Sequence, residues 1–409
     1  MVYLTTLLLT LALLLRLANY PNSRSFLDPF VLFITPQIIS LSIILSLPFF
    51  GLSIKNDLSE LTLLYVLALS TSFLVGVTFY DNVKLSNNKF LGEEIVNSKS
   101  QSLFFDFAFY TTFLISLFGT AKLLSGLGVF SFLDLVALYS SDFNYIEKNF
   151  FNSSYAILWQ ACFASLFFYN FTRFKRINLI IVFFLFLMIF FRGAFIYIII
   201  GFFYFIVPRW VLTRHGKFLN KLLTLLFFFF LLNLIVYFSY EDLSLFKYIL
   251  KIFPYTAGNY VNLAYHVESL TNNADIFSFS HFFESLGFGS VMFYFDKYFY
   301  LSYSPSLIFP FLQQIENFHV YGNTATVYGS FLGVNILISS LYFILLGLIG
   351  SYLYHNAKYS MFILVVLCWF SASHFLSFAT GGHFITTRFF PALLFIFPFL
   401  FLYELLRKK

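Results

Sequence analysis

Charge is what this chain most conspicuously does without: of 409 residues, 10% are Asp, Glu, Lys or Arg, while 60% are apolar. A soluble domain needs more polar surface than that to hydrate its exterior, so a water-soluble globular fold is excluded. Cysteine is nearly missing as well. Cys162 and Cys368 are too isolated, each inside an apolar run, to form a disulfide framework or a metal-ligand spacing, and the redox compartment is unreadable. No GxxxxGKS/T loop and no dinucleotide fingerprint occur, which argues against ATP-driven transport by this chain alone. The net charge of +6 does not point to nucleic acid. Most basic residues flank apolar runs, where they anchor topology and meet anionic membrane lipid.

What is abundant is membrane-length apolar sequence. A helix of roughly 17 to 25 apolar residues spans a hydrocarbon core of about 30 Å with every backbone amide paired internally. About eleven such segments are read at residues 2–19, 30–50, 61–80, 102–124, 151–171, 177–191, 193–210, 220–240, 325–353, 359–377 and 386–406. Arg192-Gly193 splits the run 177–210, which is too long for a single span. The first segment lacks a basic leader and a small-residue cleavage site, so it is expected to stay as a helix. Phenylalanine, at 65 residues, reads as an aromatic filling of lipid-facing positions. The expected fold is an all-α polytopic membrane protein: an N-terminal bundle over 1–240, one large external loop over 241–322, and a C-terminal bundle over 323–409.

Lysine and arginine concentrate in short cytoplasmic loops. Arg16 with Arg24, Lys84 with Lys89 and Lys99, Arg173 with Lys175 and Arg176, Arg209 to Lys221, Lys358, and Arg407 to Lys409 alternate consistently with eleven spans. The amino terminus is then expected in the periplasm, the carboxyl terminus in the cytoplasm, and the loop after Tyr240 outside.

Arginine near a membrane is a functional signal by default, because its burial costs roughly 2.5 to 3.5 kcal/mol on insertion scales. Arg192 stands between two very apolar segments, with Gly193 leaving room for close approach of a ligand or backbone. Arg388 follows Gly381, Gly382, His383, Thr386 and Thr387, a short stretch rich in donors. Both residues fit either lipid-phosphate anchoring or a diphosphate held by bidentate, charge-assisted bonds. His374 reads as a structural, hydrogen-bonded histidine. Asp106 and Arg16 are the candidate deep charges. Within the loop, the aromatic run around Tyr298 suits an interfacial helix and sugar stacking alike. Asn323 and Thr324 are read as starting the ninth helix, as caps or as substrate contacts. Gly329, Gly333, Gly347 and Gly350 are read as small residues that let that helix pack closely.

The stretch Gly322-Asn323-Thr324-Ala325-Thr326-Val327-Tyr328-Gly329-Ser330-Phe331-Leu332-Gly333, leading into a glycine-punctuated helix, resembles the bacterial oligosaccharide repeat-unit polymerases of O-antigen and capsule synthesis. The many spans, the large external loop and Arg192 at an external helix end share that resemblance. It implies a GT-C-like membrane glycosyltransferase in the bacterial inner membrane. The glycan on undecaprenyl diphosphate would be transferred onto the next lipid-linked repeat, with a chain-length regulator and a flippase as partners. Arg192 and Arg388 would bind the diphosphate. His319, His281 and Glu268 are candidates to take the acceptor proton, and Asn323, Thr324, His383 and Tyr298 to contact substrate. No Asp-x-Asp pair stands in the loop, and fixed arginines would supply the charge stabilisation that a metal supplies elsewhere, so no cofactor or metal is expected. A ligase of similar architecture and a lipid-linked sugar flippase or transporter are the alternatives.

Overall fold

The computed structural model describes residues 1–19, 27–50, 58–86, 311–315, 318–322, 326–329 and 335–378, with isolated positions at 114, 125, 203, 207, 210, 211, 258–261, 263, 264, 267, 401 and 405. Among the described residues six α-helices and a hairpin follow in order. They are α1 (Val2–Asn19), α2 (Pro29–Ser46) with a 3-10 turn at Leu47–Phe50, α3 (Glu60–Ser86), β1 (Phe311–Ile315), β2 (Phe318–Gly322), α4 (Thr326–Gly329), α5 (Ile336–Asn356) and α6 (Met361–Phe375), which ends in a 3-10 turn at Leu376–Phe378. Among the described residues α1, α2, α3 and α5 are long and apolar enough to cross a bilayer, and α6 is a shorter apolar helix. At 1.5 Å per residue an 18-residue helix is about 27 Å long, close to the hydrocarbon thickness. The protein is a helical membrane protein.

Three of the long helices start where the chain offers a cap. Asp28 accepts the Phe30 and Val31 amides at 3.1 and 3.2 Å on one carboxylate oxygen, and Pro29 takes the first helical position of α2, where its missing N–H costs nothing. Ser59 caps α3 through the Thr62 amide at 3.3 Å. Asn335 caps α5: its side-chain oxygen accepts the Leu337 amide at 2.9 Å and its carbonyl the Ser339 amide at 3.0 Å. The long helix therefore begins at Ile336, not at Asn323 and Thr324. Those two residues lie outside the described ones, Gly329 belongs to the separate α4, and Gly333 is also outside.

The chain divides into two units, of which the first comprises 1–92, 244–355 and 370–388 and the second 93–243, 356–369 and 389–409. Within the first, α1 turns Thr5, Leu9 and Arg16 inward, an i, i+4, i+11 stripe, and leaves Tyr3, Leu4, Leu7, Leu8, Leu11, Leu14 and Leu15 exposed. An apolar outer face of this kind is lipid-facing. Its hydroxyls Thr6 and Thr10 are satisfied on the carbonyls four residues earlier, at 2.9 and 2.7 Å. The core gathers Phe30, Phe33, Leu41, Leu63, Leu69, Phe73, Phe343 and Tyr328. Helices α3 and α5 cross at a glycine pair: a methyl on Gly76 would overlap the Ile344 carbonyl, and one on Gly347 the Phe73 carbonyl. Small residues let backbones meet directly, which is the membrane route to tight packing. Within the second unit, Ser360 opens α6 by accepting the Leu364 amide at 2.9 Å, and Leu364, Val365, Leu367 and Cys368 are buried.

Two features depart from an all-α bundle with one wet loop. Strands β1 and β2 form an antiparallel hairpin with Ile315 opposite Phe318 and Phe311 opposite Gly322. The segment 258–267, expected within the external loop, has helical residues and buries Tyr260, Leu263, Ala264 and Val267 in the core of the first unit. Their spacing of i, i+3, i+4 and i+7 is one face of a helix.

Candidate functional site

Four helix termini meet at two carboxylates bridged by one guanidinium. Arg16 lies in the last turn of α1, Asp28 immediately precedes α2, Asp81 is five residues from the end of α3, and His355 is one residue from the end of α5. One guanidinium nitrogen of Arg16, Nη2, donates to Asp28 Oδ2 at 2.7 Å and to Asp81 Oδ2 at 2.5 Å. Asp81 Oδ1 accepts the Ser351 hydroxyl at 2.5 Å and contacts His355 Nε2 at 2.9 Å. The His355 ring stacks beside Tyr80 at 6.1 Å and meets Tyr354 edge-on at 5.4 Å. Arg16, Asp28 and Asp81 are buried. A buried ion pair gains little net stability over an apolar one, but removal of a single member leaves an uncompensated charge and costs about 3 to 5 kcal/mol.

Polar and aromatic layers lie farther along the same helices. Gln37 donates to the Ser377 hydroxyl at 2.7 Å and accepts a short hydrogen bond from the Tyr260 hydroxyl. Ser70 and the Tyr328 hydroxyl share a 2.8 Å bond. Gln37 is nine residues beyond Asp28 and Ser70 eleven before Asp81, so this layer stands about 13 to 17 Å from the charge cluster, roughly half of the hydrocarbon thickness. Between them lie Phe33, Phe73, Phe343, Phe370 and His374. His374 Nδ1 bonds the Phe370 carbonyl at 2.8 Å and its ring stacks on Phe370 at 3.8 Å, the structural role its sequence context suggested. Tyr328, inside the polymerase-like stretch, is thereby bonded to α3, and its ring stacks on Phe343 at 6.0 Å.

The sequence-predicted site residues Arg192, Arg388, His281, Glu268, Asn323, Thr324, His383 and Tyr298 lie outside the described residues, as does Asp106. His319 lies on β2, opposite Gln314. Arg16 was read as a candidate deep charge; Asp28 and Asp81 were missed. Spans drawn at 30–50 and 61–80 stop two residues and one residue short of them. The signal that marks Asp81 is a carboxylate at helical spacing from an otherwise apolar run. For Asp28 it is the Asp-Pro pair that opens a helix. The chain matches no protein-family model, no curated protein and no solved structure.

Proposed function

We propose that this chain is a membrane glycosyltransferase that joins oligosaccharide repeat units carried on undecaprenyl diphosphate at the outer face of the bacterial inner membrane. The growing glycan leaves its lipid diphosphate and is bonded to the non-reducing sugar of the next lipid-linked repeat. Arg192 and Arg388, each at the end of an apolar segment, bracket the departing diphosphate, and preorganised donors aimed at developing charge lower the barrier most. His319, His281 and Glu268 are the candidates to accept the hydroxyl proton, with Asn323, Thr324, His383 and Tyr298 against the sugars. Eleven spans in a GT-C-like arrangement complete the proposal.

The observation that carries the reading is the shared polarity of α3 and α5. Both end at the Arg16 cluster, whereas Asn335 opens α5 at its other end. The chain next to these ends contains Arg24, Lys84 and Lys358, the bias of a cytoplasmic face. The hairpin at 311–322, which precedes α5, would then lie toward the opposite face, where lipid-linked glycans are assembled. The test is a purified-protein assay with synthetic lipid-diphosphate oligosaccharide. A ladder of products is expected; intact substrate after long incubation in lipid would sink the proposal. In cells, loss of a polymerase leaves single repeat units on the lipid core, whereas loss of a ligase leaves bare core.

A second reading, transport of the lipid-linked sugar, draws on the buried charge cluster and the hydroxyl-and-amide layer, since intramembrane polar groups often line substrate or ion paths. Movement of labelled lipid-linked sugar across proteoliposomes without any change in glycan length would favour it.

A further inference from the structure

A hydroxyl on a membrane helix commonly settles on the carbonyl four residues earlier. In α1 and α3, Thr6, Thr10, Thr71, Ser72 and Thr78 donate in this way at 2.7 to 2.9 Å. None of these five is buried. Thr5, Ser40 and Ser339, one each on α1, α2 and α5, are fully buried and behave differently, because their hydroxyl oxygens meet no protein partner. Tyr65 of α3 approaches Ser339 across the seam between α3 and α5, yet neither hydroxyl completes a hydrogen bond. A polar group left unpaired out of water is costly, so such hydroxyls mark places where another hydrogen-bonding molecule sits.

Their depths agree. Thr5 is eleven residues before Arg16, Ser40 twelve after Asp28, Tyr65 sixteen before Asp81 and Ser339 twelve before Ser351. At 1.5 Å per residue all four stand about 17 to 24 Å from the charge cluster. Thr5 shares the buried stripe of α1 with Arg16, and Ser40 stands one turn beyond Gln37 on α2. The hydroxyls thus continue the layer of Gln37, Tyr260 and Ser377 toward the helix ends at Val2, Ser46, Glu60 and Ile336. Among the described residues no Asp, Glu, Lys or Arg is buried in this half. A phosphate would find no counter-charge among them, whereas a neutral hydroxyl both donates and accepts. We propose that the half of the bundle away from Arg16 is a binding site for uncharged hydroxyl ligands, water or the sugars of a glycan, held by Thr5, Ser40, Tyr65 and Ser339 and open to the aqueous face at which α5 begins. The sugar source rests on the proposed transfer reaction; the site itself does not.

The test uses the full chain in lipid nanodiscs, with Cys162 and Cys368 replaced and a single cysteine introduced as Ser40→Cys or Ser339→Cys. The probe, aminoethyl methanethiosulfonate, reacts with thiolates, which form where water reaches the sulfur. Both variants are expected to react about tenfold or more faster than Leu41→Cys, a buried apolar neighbour. Added synthetic lipid-diphosphate oligosaccharide then separates the two sources: protection assigns sugar, and unchanged labelling assigns water. Thermal melting of Ser40→Ala and Ser339→Ala gives a second measure that needs no reagent. A hydroxyl with a ligand stabilises, so both variants are expected to melt at or below the wild-type temperature, whereas a dry hydroxyl costs stability and its removal raises the melting point. Labelling no faster than in Leu41→Cys, or a raised melting point in either alanine variant, overturns the proposal. An absent product ladder with these labelling rates intact would sink the transfer reaction alone.

Discussion

A single nitrogen of Arg16 bridges two carboxylates that belong to different helices, so the residue is worth more to the fold than any one ion pair would be. Replacement by an apolar side chain of similar length leaves both carboxylates facing each other out of water. Arg16→Met is expected to lower stability by about 3 to 5 kcal/mol, measured as unfolding in detergent. Retained wild-type stability would mean that the cluster is hydrated in the membrane. The same reasoning separates this arginine from Arg192 and Arg388. In the proposed reaction those two grip phosphate, so Arg192→Lys and Arg388→Lys keep the charge and lose the fork. Losing one charge-assisted bond of this kind lowers product formation about ten- to hundredfold, read in the ladder assay with folding checked by thermal melting. Near-normal chain length in both variants would argue against bidentate binding. At this scale the sequence was half legible. Arg16 stood out inside a leucine-rich helix, but Asp28 and Asp81 were missed because hydropathy weighs each residue alone. Their partners stand 12, 65, 270 and 274 residues away.

The elements were legible where apolar runs are continuous and capped by residues adjacent to them. Helices α1, α2 and α3 fall close to the segments read from sequence, and α3 runs on to Ser86 because Asp81 finds partners inside the membrane and need not end the helix. The start of α5 was not legible, since Asn323 and Asn335 offer the same capping chemistry and only the fold chooses between them. Nor was the buried segment 258–267. Its apolar face is short and flanked by polar residues, and the partner that satisfies the buried Tyr260 hydroxyl, Gln37, stands 223 residues away. Gly347 and Gly350 were legible as packing residues, though not which partner each one met, and Gly76 was not singled out. Gly347 faces the α3 backbone at Phe73, and Gly76 faces α5 at Ile344. Neither backbone can yield as a flexible side chain would, so Gly76→Ala and Gly347→Ala are each expected to cost about 1 to 3 kcal/mol. The double variant should cost clearly less than the sum, because a single separation of the two helices relieves both overlaps. Full additivity in unfolding measurements would show that the helices do not meet there.

For the molecule as a whole the firmest constraint is one of parity. Helices α3 and α5 both end at the cluster of Arg16, Asp81 and His355, so they cross the membrane in the same sense. The chain that leaves the end of α3 must return to begin α5 at the opposite face, and it does so only by crossing an odd number of times between residues 87 and 335. The five spans read there from hydropathy satisfy this, as would three or seven, whereas four or six would not. Parity has a direct experimental expression. With Cys162 and Cys368 replaced, single cysteines at Asn317, between β1 and β2, and at Lys358, two residues past α5, report on the two faces. In intact cells with a permeable outer envelope, an impermeant maleimide is expected to label Asn317→Cys and to spare Lys358→Cys until the inner membrane is opened. The positive-inside bias of Arg16, Lys84 and Lys358 sets which face is which, and the shared cluster sets that the two probes differ. Labelling of both from the same side would break the parity, and with it the proposed assignment of the 311–322 hairpin to the face where lipid-linked glycans are joined. Labelling in the reverse order would keep the helix arrangement but turn the molecule over, and the proposed chemistry would then lose its substrate.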